Sequence, residues 1–362
     1  MKIKKDSAVI NRIKELEETN ELNCNLSEMF LYVIGDRSLI EKDEIETLAK
    51  KHNLDINDLV LSTLCDVWEI DPENEDNSVI YQTHIASNVF SIDKNEFENN
   101  PYYQQIKPKE IKNKNYSLTY DFYTPYELFS YDDITVDENY HEQTKIAYFK
   151  DEFKFLVLNY KDVTWMSITP NEIKTMEPAI EKAKGDIIVF GLGLGYFAFM
   201  TSLKQEVKSV TIVENDINII NIFKENLLPL FPQKSKIKIV QADALEVIKK
   251  PLPYDFAFVD LWHSVEDGLE LFLKFKKIES QNQDVEFSYW LSNSFYALLR
   301  RAFITLLSEQ LEGFDESNYQ NGETTFDKLV NLYYRKTKDI QIKDVSDINS
   351  MLVDSNLLSM LL

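Results

Sequence analysis

The chain has 362 residues, 44% of them apolar, with 61 acidic against 39 basic side chains and a formal net charge of −22. That length suits two domains with at least one full core, and the apolar fraction excludes wholesale disorder. The charge argues against nucleic acid or an anionic membrane as a partner, because phosphates must be met by clustered Lys and Arg.

Two cysteines, Cys24 and Cys65, supply neither a disulfide framework nor a thiolate zinc site. The four histidines (His52, His84, His141 and His263) are too dispersed for a metal centre. The opening MKIKKDSAVINRIKELEETN has no apolar stretch after its basic residues, so it does not read as a signal peptide. The longest charge-free apolar run, Ile187 to Leu203, falls just short of a membrane span and carries three glycines. The expectation is a soluble cytoplasmic protein with no membrane partner.

Residues 1–115 read as mainly helical. Ser38 and Glu41 have capping-box spacing before a stripe of Ile40, Ile45, Leu48 and Ala49, and Asn57 is placed to cap a second helix. Six acidic residues between Asp66 and Asp76 read as a solvated loop, since EF-hand spacing is absent. Around Ile106 to Lys114, with Pro101 and Pro108 nearby, the chain reads as connector. Residues 116–168 turn rich in Tyr, Phe, Thr, Val and Ile and read as a small β module. Within it, Thr144–Phe149 and Phe153–Tyr160 suggest a hairpin, and Val163–Ile168 a further strand. Thr169-Pro170-Asn171-Glu172 then opens a helix expected to reach Lys184 and stop at Gly185.

From Gly185 the pattern alternates. Strands are expected at Ile187–Phe190, Ser209–Val213, Lys236–Val240 and Phe256–Val259, with helices near 196–203, 216–228 and 244–250. Continuous apolar strands separated by helices indicate parallel βαβ units buried on both faces. The fold class is therefore α/β, a Rossmann-like, doubly wound, mostly parallel sheet over residues 169–290. A C-terminal helical extension over 291–362 follows. It begins with a helix from Ser292 to Glu312 whose apolar stripe serves either the core or a homodimer face. The tail carries one further strand candidate, Asp339–Ile342.

The chemistry concentrates at the carboxyl ends of these strands. Four of the eight glycines are Gly185, Gly191, Gly193 and Gly195. Gly191-Leu192-Gly193-Leu194-Gly195-Tyr196 is G-x-G-x-G, not the dinucleotide G-x-G-x-x-G, since Tyr196 fills the last glycine position. Glu214 ends the second strand, where a carboxylate accepts from ribose hydroxyls. Asp243 follows the third, where an acceptor takes an adenine amino group, and Asp260 ends the fourth, in Val259-Asp260-Leu261-Trp262-His263. Singly, Glu214 is explained as a solvated strand end and Asp243 and Asp260 as helix caps. Four in order, one per βα unit, point to an adenosyl ligand.

Over about residues 169–280 this set resembles the class I S-adenosylmethionine-dependent methyltransferases and the related spermidine synthase-like enzymes. The resemblance implies S-adenosyl-L-methionine, or its decarboxylated form, as cofactor. It implies that Gly191, Gly193 and Gly195, with Tyr196 next in the turn, line its methionine and ribose portion. Glu214 then holds the ribose, Asp243 with Ala244 contacts adenine, and Asp260 faces the sulfonium. Val189 stands where many methyltransferases carry an acidic residue, which is closer to the synthases. Leu194 and His263 stand where the synthases carry acidic residues. The reading is a methyltransferase acting on a small molecule or a protein. Aminopropyl transfer to a polyamine and a non-catalytic nucleotide-binding interaction protein are the alternatives. Asp260 and His263 are the candidate proton acceptors, and Trp262 is either a wall of the acceptor pocket or core.

Overall fold

Five strands make the central sheet in this computed structural model, which describes residues 1–113, 115–320, 322 and 324–362. They are β1 (Gly185–Phe190), β2 (Val207–Glu214), β3 (Ile237–Gln241), β4 (Phe256–Val259) and β5 (Glu286–Tyr289). All pair in parallel, in the order β3-β2-β1-β4-β5. Each crossover carries a helix: Tyr196–Leu203, Ile217–Asn226, Ala244–Ile248 and Val265–Glu279. Ile187 to Phe190 on β1 and all of β4 are buried, as two covered faces require. The order reverses at β1, between β2 and β4. An open α/β sheet forms its ligand crevice at such a reversal, outside the carboxyl ends of the strands.

The four expected strands and three expected helices are all present within a few residues. Not anticipated were β5 and the Val265–Glu279 helix. β5 is a four-residue edge strand, Glu-Phe-Ser-Tyr, whose polar positions hide it from an apolar-run criterion.

Several local expectations are corrected. The hairpin between Thr144–Phe149 and Phe153–Tyr160 does not form. Ile146–Phe149 pairs with Val89–Ile92 and Phe129–Ser130 in a separate three-stranded sheet. Phe153–Tyr160 pairs instead with Tyr116–Tyr123 and Val163–Ser167. Ile146 to Phe149 are all buried, and a fully covered strand takes whichever partners enclose it. Glu41 begins the Lys42–His52 helix without a side-chain cap, because Ser38 turns back to donate to Asp36 (2.7 Å). Asp55, not Asn57, caps Ile56–Val67, accepting from the Asn57 amide at 2.7 Å. The helix opened by Thr169 runs Pro170–Lys182. Gly185 starts β1 rather than stopping that helix; at φ +70° a Cβ there would strike the Asp255 carboxylate.

The Ser292–Glu312 helix forms and stops at Gly313, φ +113°. In its stripe Phe295, Leu299, Ala302, Phe303, Leu306 and Leu307 are fully buried and Leu298 partly, and the helix packs against the Ser7–Val33 and Thr325–Lys336 helices, so the stripe serves the core. Lys2–Ile3 pairs in parallel with Gln341–Ile342, which joins the two ends of the chain. No helix among the described residues is long and apolar enough to cross a membrane. Lys114, the end of the expected connector, lies outside the described residues.

Candidate functional site

A cavity of about 410 Å³ opens at the reversal point, floored by the turn after β1 and walled by the ends of β2 and β4. That volume lies within the range of small-ligand sites. Backbone geometry shapes its floor. At Gly191, φ +100°, a Cβ would sit 1.8 Å from the Asp260 carbonyl oxygen; at Gly195, φ +79°, it would strike the Phe223 ring. Glycine is thus imposed at both, by close approach and by left-handed backbone. Gly193, φ +52°, has nothing within 4 Å of where its Cβ would be. The turn therefore leaves open space where a ligand can lie against backbone.

Glu214 bridges β2 and this turn. Its Oε1 accepts from the Asn215 and Asp216 amides (2.7 and 2.8 Å) and its Oε2 from the Leu192 amide (3.2 Å). Asp216 also lines the cavity, caps the Ile217–Asn226 helix and accepts from the Tyr116 hydroxyl (2.9 Å). Tyr196 is buried under the turn, its hydroxyl accepting from Asn100 Nδ2 (2.9 Å), while the Tyr102 hydroxyl donates to the Leu194 carbonyl (2.7 Å). The short Pro101–Gln105 helix thus buttresses the glycine turn. Asn100 caps it and Pro101 opens it, a start signal that the connector reading overlooked.

Asp260 continues the β1–β4 ladder, its amide donating to the Phe190 carbonyl at 2.9 Å. Its carboxyl lines the cavity, and burial pushes its pKa up to about 7. Glu172 lines the same cavity. The Thr169 capping box forms, with Glu172 Oε2 accepting from the Thr169 amide (3.3 Å), and Oε1 accepts from the Ser167 hydroxyl (3.2 Å). Burial, reinforced by the Asp260 charge, pushes the Glu172 pKa up to about 8. Four carboxyl groups line the cavity (Glu172, Glu214, Asp216 and Asp260), and no lysine or arginine does among the described residues.

Asp243 and Ala244 lie outside this lining. Asp243 Oδ1 caps the Ala244–Ile248 helix, accepting from the Leu245 (2.8 Å) and Glu246 (3.2 Å) amides. His263 is at the rim, its Nδ1 3.2 Å from Asp267 Oδ2 and its ring edge-on to Trp165 at 4.7 Å. Trp262 backs the cavity but is only 5% exposed. It packs against Phe272, Tyr289 and Phe295, and its indole N–H donates to the Trp290 carbonyl at 3.3 Å. The core reading of Trp262 therefore holds.

The structure brings Gly191, Gly193, Gly195, Tyr196, Glu214, Asp260 and His263 to one cavity. It adds Thr164, Trp165, Met166 and Ser167 from the small β module, and Met176 and Trp290. The visible signal for this wall was Trp165, a large aromatic left 42% exposed on a strand.

No family model and no curated protein matches the chain. Solved structures similar to it include the spermidine synthase of Thermotoga maritima (14% identity, 41% of this chain and 58% of that one, TM-score 0.29). A second is a spermidine synthase in complex with the transition-state analogue AdoDATO (14% identity, 53% and 62%, TM-score 0.32). A third is precorrin 8w decarboxylase of Methanobacterium thermoautotrophicum (18% identity, 41% and 74%, TM-score 0.27). The chain spans about three fifths of the length of the two synthases. The Rossmann-like assignment rests on the observed parallel strand order.

Proposed function

We propose that this chain is a transferase that binds a sulfonium nucleoside, decarboxylated S-adenosylmethionine, and passes its aminopropyl group to an amine. The observation that carries the reading is the cavity itself: four carboxyl groups and no cationic side chain surround a glycine turn at the sheet's reversal point. A ligand with a carboxylate of its own gains no ionic partner there among the described side chains. A decarboxylated sulfonium, doubly cationic, meets opposite charge on several sides.

The residues fit such a group at two ends. Glu214, held by three backbone amides, keeps one acceptor site on Oε2 for a ribose hydroxyl. The open side of Gly193 admits a chain against the backbone. When bound, the sulfonium supplies an electrophilic carbon, on which an N–C bond forms as the C–S bond breaks with its pair left on sulfur. The protein's own task is to hold the amine in line and take its proton. Asp260, with a pKa raised towards neutrality, is matched to that exchange. His263 is fixed by Asp267 at the rim and screens the entrance.

One observation favours methyl transfer from S-adenosylmethionine instead. Leu194, buried and with its carbonyl occupied by Tyr102, puts no carboxylate in the middle of the glycine turn to meet an aminopropyl ammonium. The deciding experiment offers each sulfonium separately with 1,4-diaminobutane or spermidine and follows the nucleoside product by mass. Formation of 5′-methylthioadenosine supports aminopropyl transfer, and S-adenosylhomocysteine selects methyl transfer. Failure of both thioether nucleosides to bind at millimolar concentration, measured by calorimetry, removes both readings.

A further inference from the structure

Two capping boxes in this chain invite comparison. In the Ser264–Asp267 box the carboxylate is half exposed; burial is the largest single influence on it, but hydrogen bonds from the Ser264 and His263 amides and side chains together outweigh burial and hold its pKa down. In the Thr169–Glu172 box the same motif is turned inward, and Glu172 lines the cavity that Asp260 also lines. Capping does not require that burial. A carboxyl taken out of water without a cation is costly, and neither Glu172 nor Asp260 has an ion-pair partner among the described residues. The other titratable groups near Glu172 are the phenols of Tyr102, Tyr103 and Tyr123, all held neutral by burial. The counter-charge that this pair lacks must come from what enters the cavity.

Resting on the transferase reading above, we propose that Glu172 is the second proton-handling group of the site, pairing with Asp260 to receive the acceptor's ammonium. The unliganded pair holds a proton, as two carboxyls do when burial and mutual repulsion keep both from ionising at once. An entering alkylammonium displaces that proton to solvent and becomes the counter-ion. One N–H proton then passes to a carboxylate of the pair, which frees the nitrogen lone pair. The N–C bond forms, the C–S bond breaks onto sulfur, and the product leaves as a substituted ammonium. Over the cycle one ammonium and one sulfonium give one ammonium, one thioether and one proton, so charge balances.

The test measures binding of 1,4-diaminobutane to the full chain saturated with 5′-methylthioadenosine. Calorimetry at pH 7.5 in two buffers of different ionisation enthalpy counts the protons released. Wild type is expected to release a substantial fraction of one proton. Glu172→Gln, which keeps an oxygen for the Thr169 cap, is expected to lose most of that release and bind the diamine at least tenfold more weakly. Its affinity for 5′-methylthioadenosine should be unchanged, and Glu172→Asp should restore part of the release. If Glu172→Gln binds the diamine and releases protons as wild type does, the pairing role is overturned while the transferase reading stands. Nucleoside binding without any diamine binding to wild type overturns the pairing role too. If 5′-methylthioadenosine itself does not bind wild type, the transferase reading falls and takes this inference with it.

Discussion

Asp260 and Glu172 are each harder to ionise than a carboxyl in water, and that has a consequence for stability. A carboxyl whose folded pKa is raised binds more protons in the folded state than in the unfolded one. Stability is therefore lost as pH rises from the unfolded value, near 4, to the folded values of about 7 and about 8. The double variant Asp260→Asn, Glu172→Gln is expected to melt at least ~2 °C above wild type at pH 8.5, with the gap closing towards pH 4.5. Thermal melts across that range check the sign; a gap that widens on acidification contradicts it. Glu214 plays a different part, because its two oxygens accept from three backbone amides. Glu214→Gln is expected to weaken 5′-methylthioadenosine binding by about 1–3 kcal/mol through the loss of charge-assisted hydrogen bonds, as read by calorimetry. At this scale the sequence is informative wherever position along a strand decides the role. Glu214 and Asp260 were visible because a strand end in a parallel sheet faces the crevice. Glu172 was legible as a cap, and as a group at the pocket mouth only on condition that its helix covers the site; Trp165 was not read at all. Which way a cap or an edge aromatic faces depends on the neighbouring module, which no local pattern encodes.

At the scale of elements, the turn between β1 and the Tyr196–Leu203 helix separates folding from binding. Gly191→Ala forces a methyl group into the Asp260 carbonyl on left-handed backbone, so the β1–β4 contact must open. A loss of about 3 kcal/mol or more in urea unfolding is expected, with ligand binding lost as well. Gly193→Ala meets no atom within 4 Å and carries only the left-handed penalty, roughly 1–2 kcal/mol. It should fold and still bind nucleoside poorly, because its methyl group takes the open side of the turn. Equal binding by Gly193→Ala and wild type would place the ligand elsewhere. The βα pattern was legible because parallel strands buried on both faces appear as apolar blocks separated by helices. Pairing in the small β module was not: Ile146–Phe149 and Phe153–Tyr160 are neighbours in sequence but sit in different sheets. Strand partners there are chosen by packing between residues distant in sequence, such as Phe97, whose ring meets Phe149 at 6.1 Å and Phe153 at 6.0 Å.

At the scale of the molecule, a buried ionic cluster ties three regions that flank the central sheet to one another. Arg301, on the Ser292–Glu312 helix, pairs with Glu142 of the small β module, with its Nε 2.9 Å from Glu142 Oε1. Its Nη2 also reaches Ser27 Oγ (2.8 Å), and the Glu142 amide donates to Asn23 Oδ1 (3.0 Å), which brings in the Ser7–Val33 helix. Glu142 is 4% exposed, so removing its partner strands a charge in low dielectric rather than merely deleting a contact. Arg301→Met is expected to cost about 3–5 kcal/mol in urea unfolding, and added salt should barely change the difference, because buried pairs are little screened. Arg301→Met with Glu142→Leu should recover most of the loss, since no unpaired charge then remains. A surface-like outcome, under ~1 kcal/mol for the single variant and sensitive to salt, would mean that water reaches the cluster and that the three regions are held by apolar packing alone.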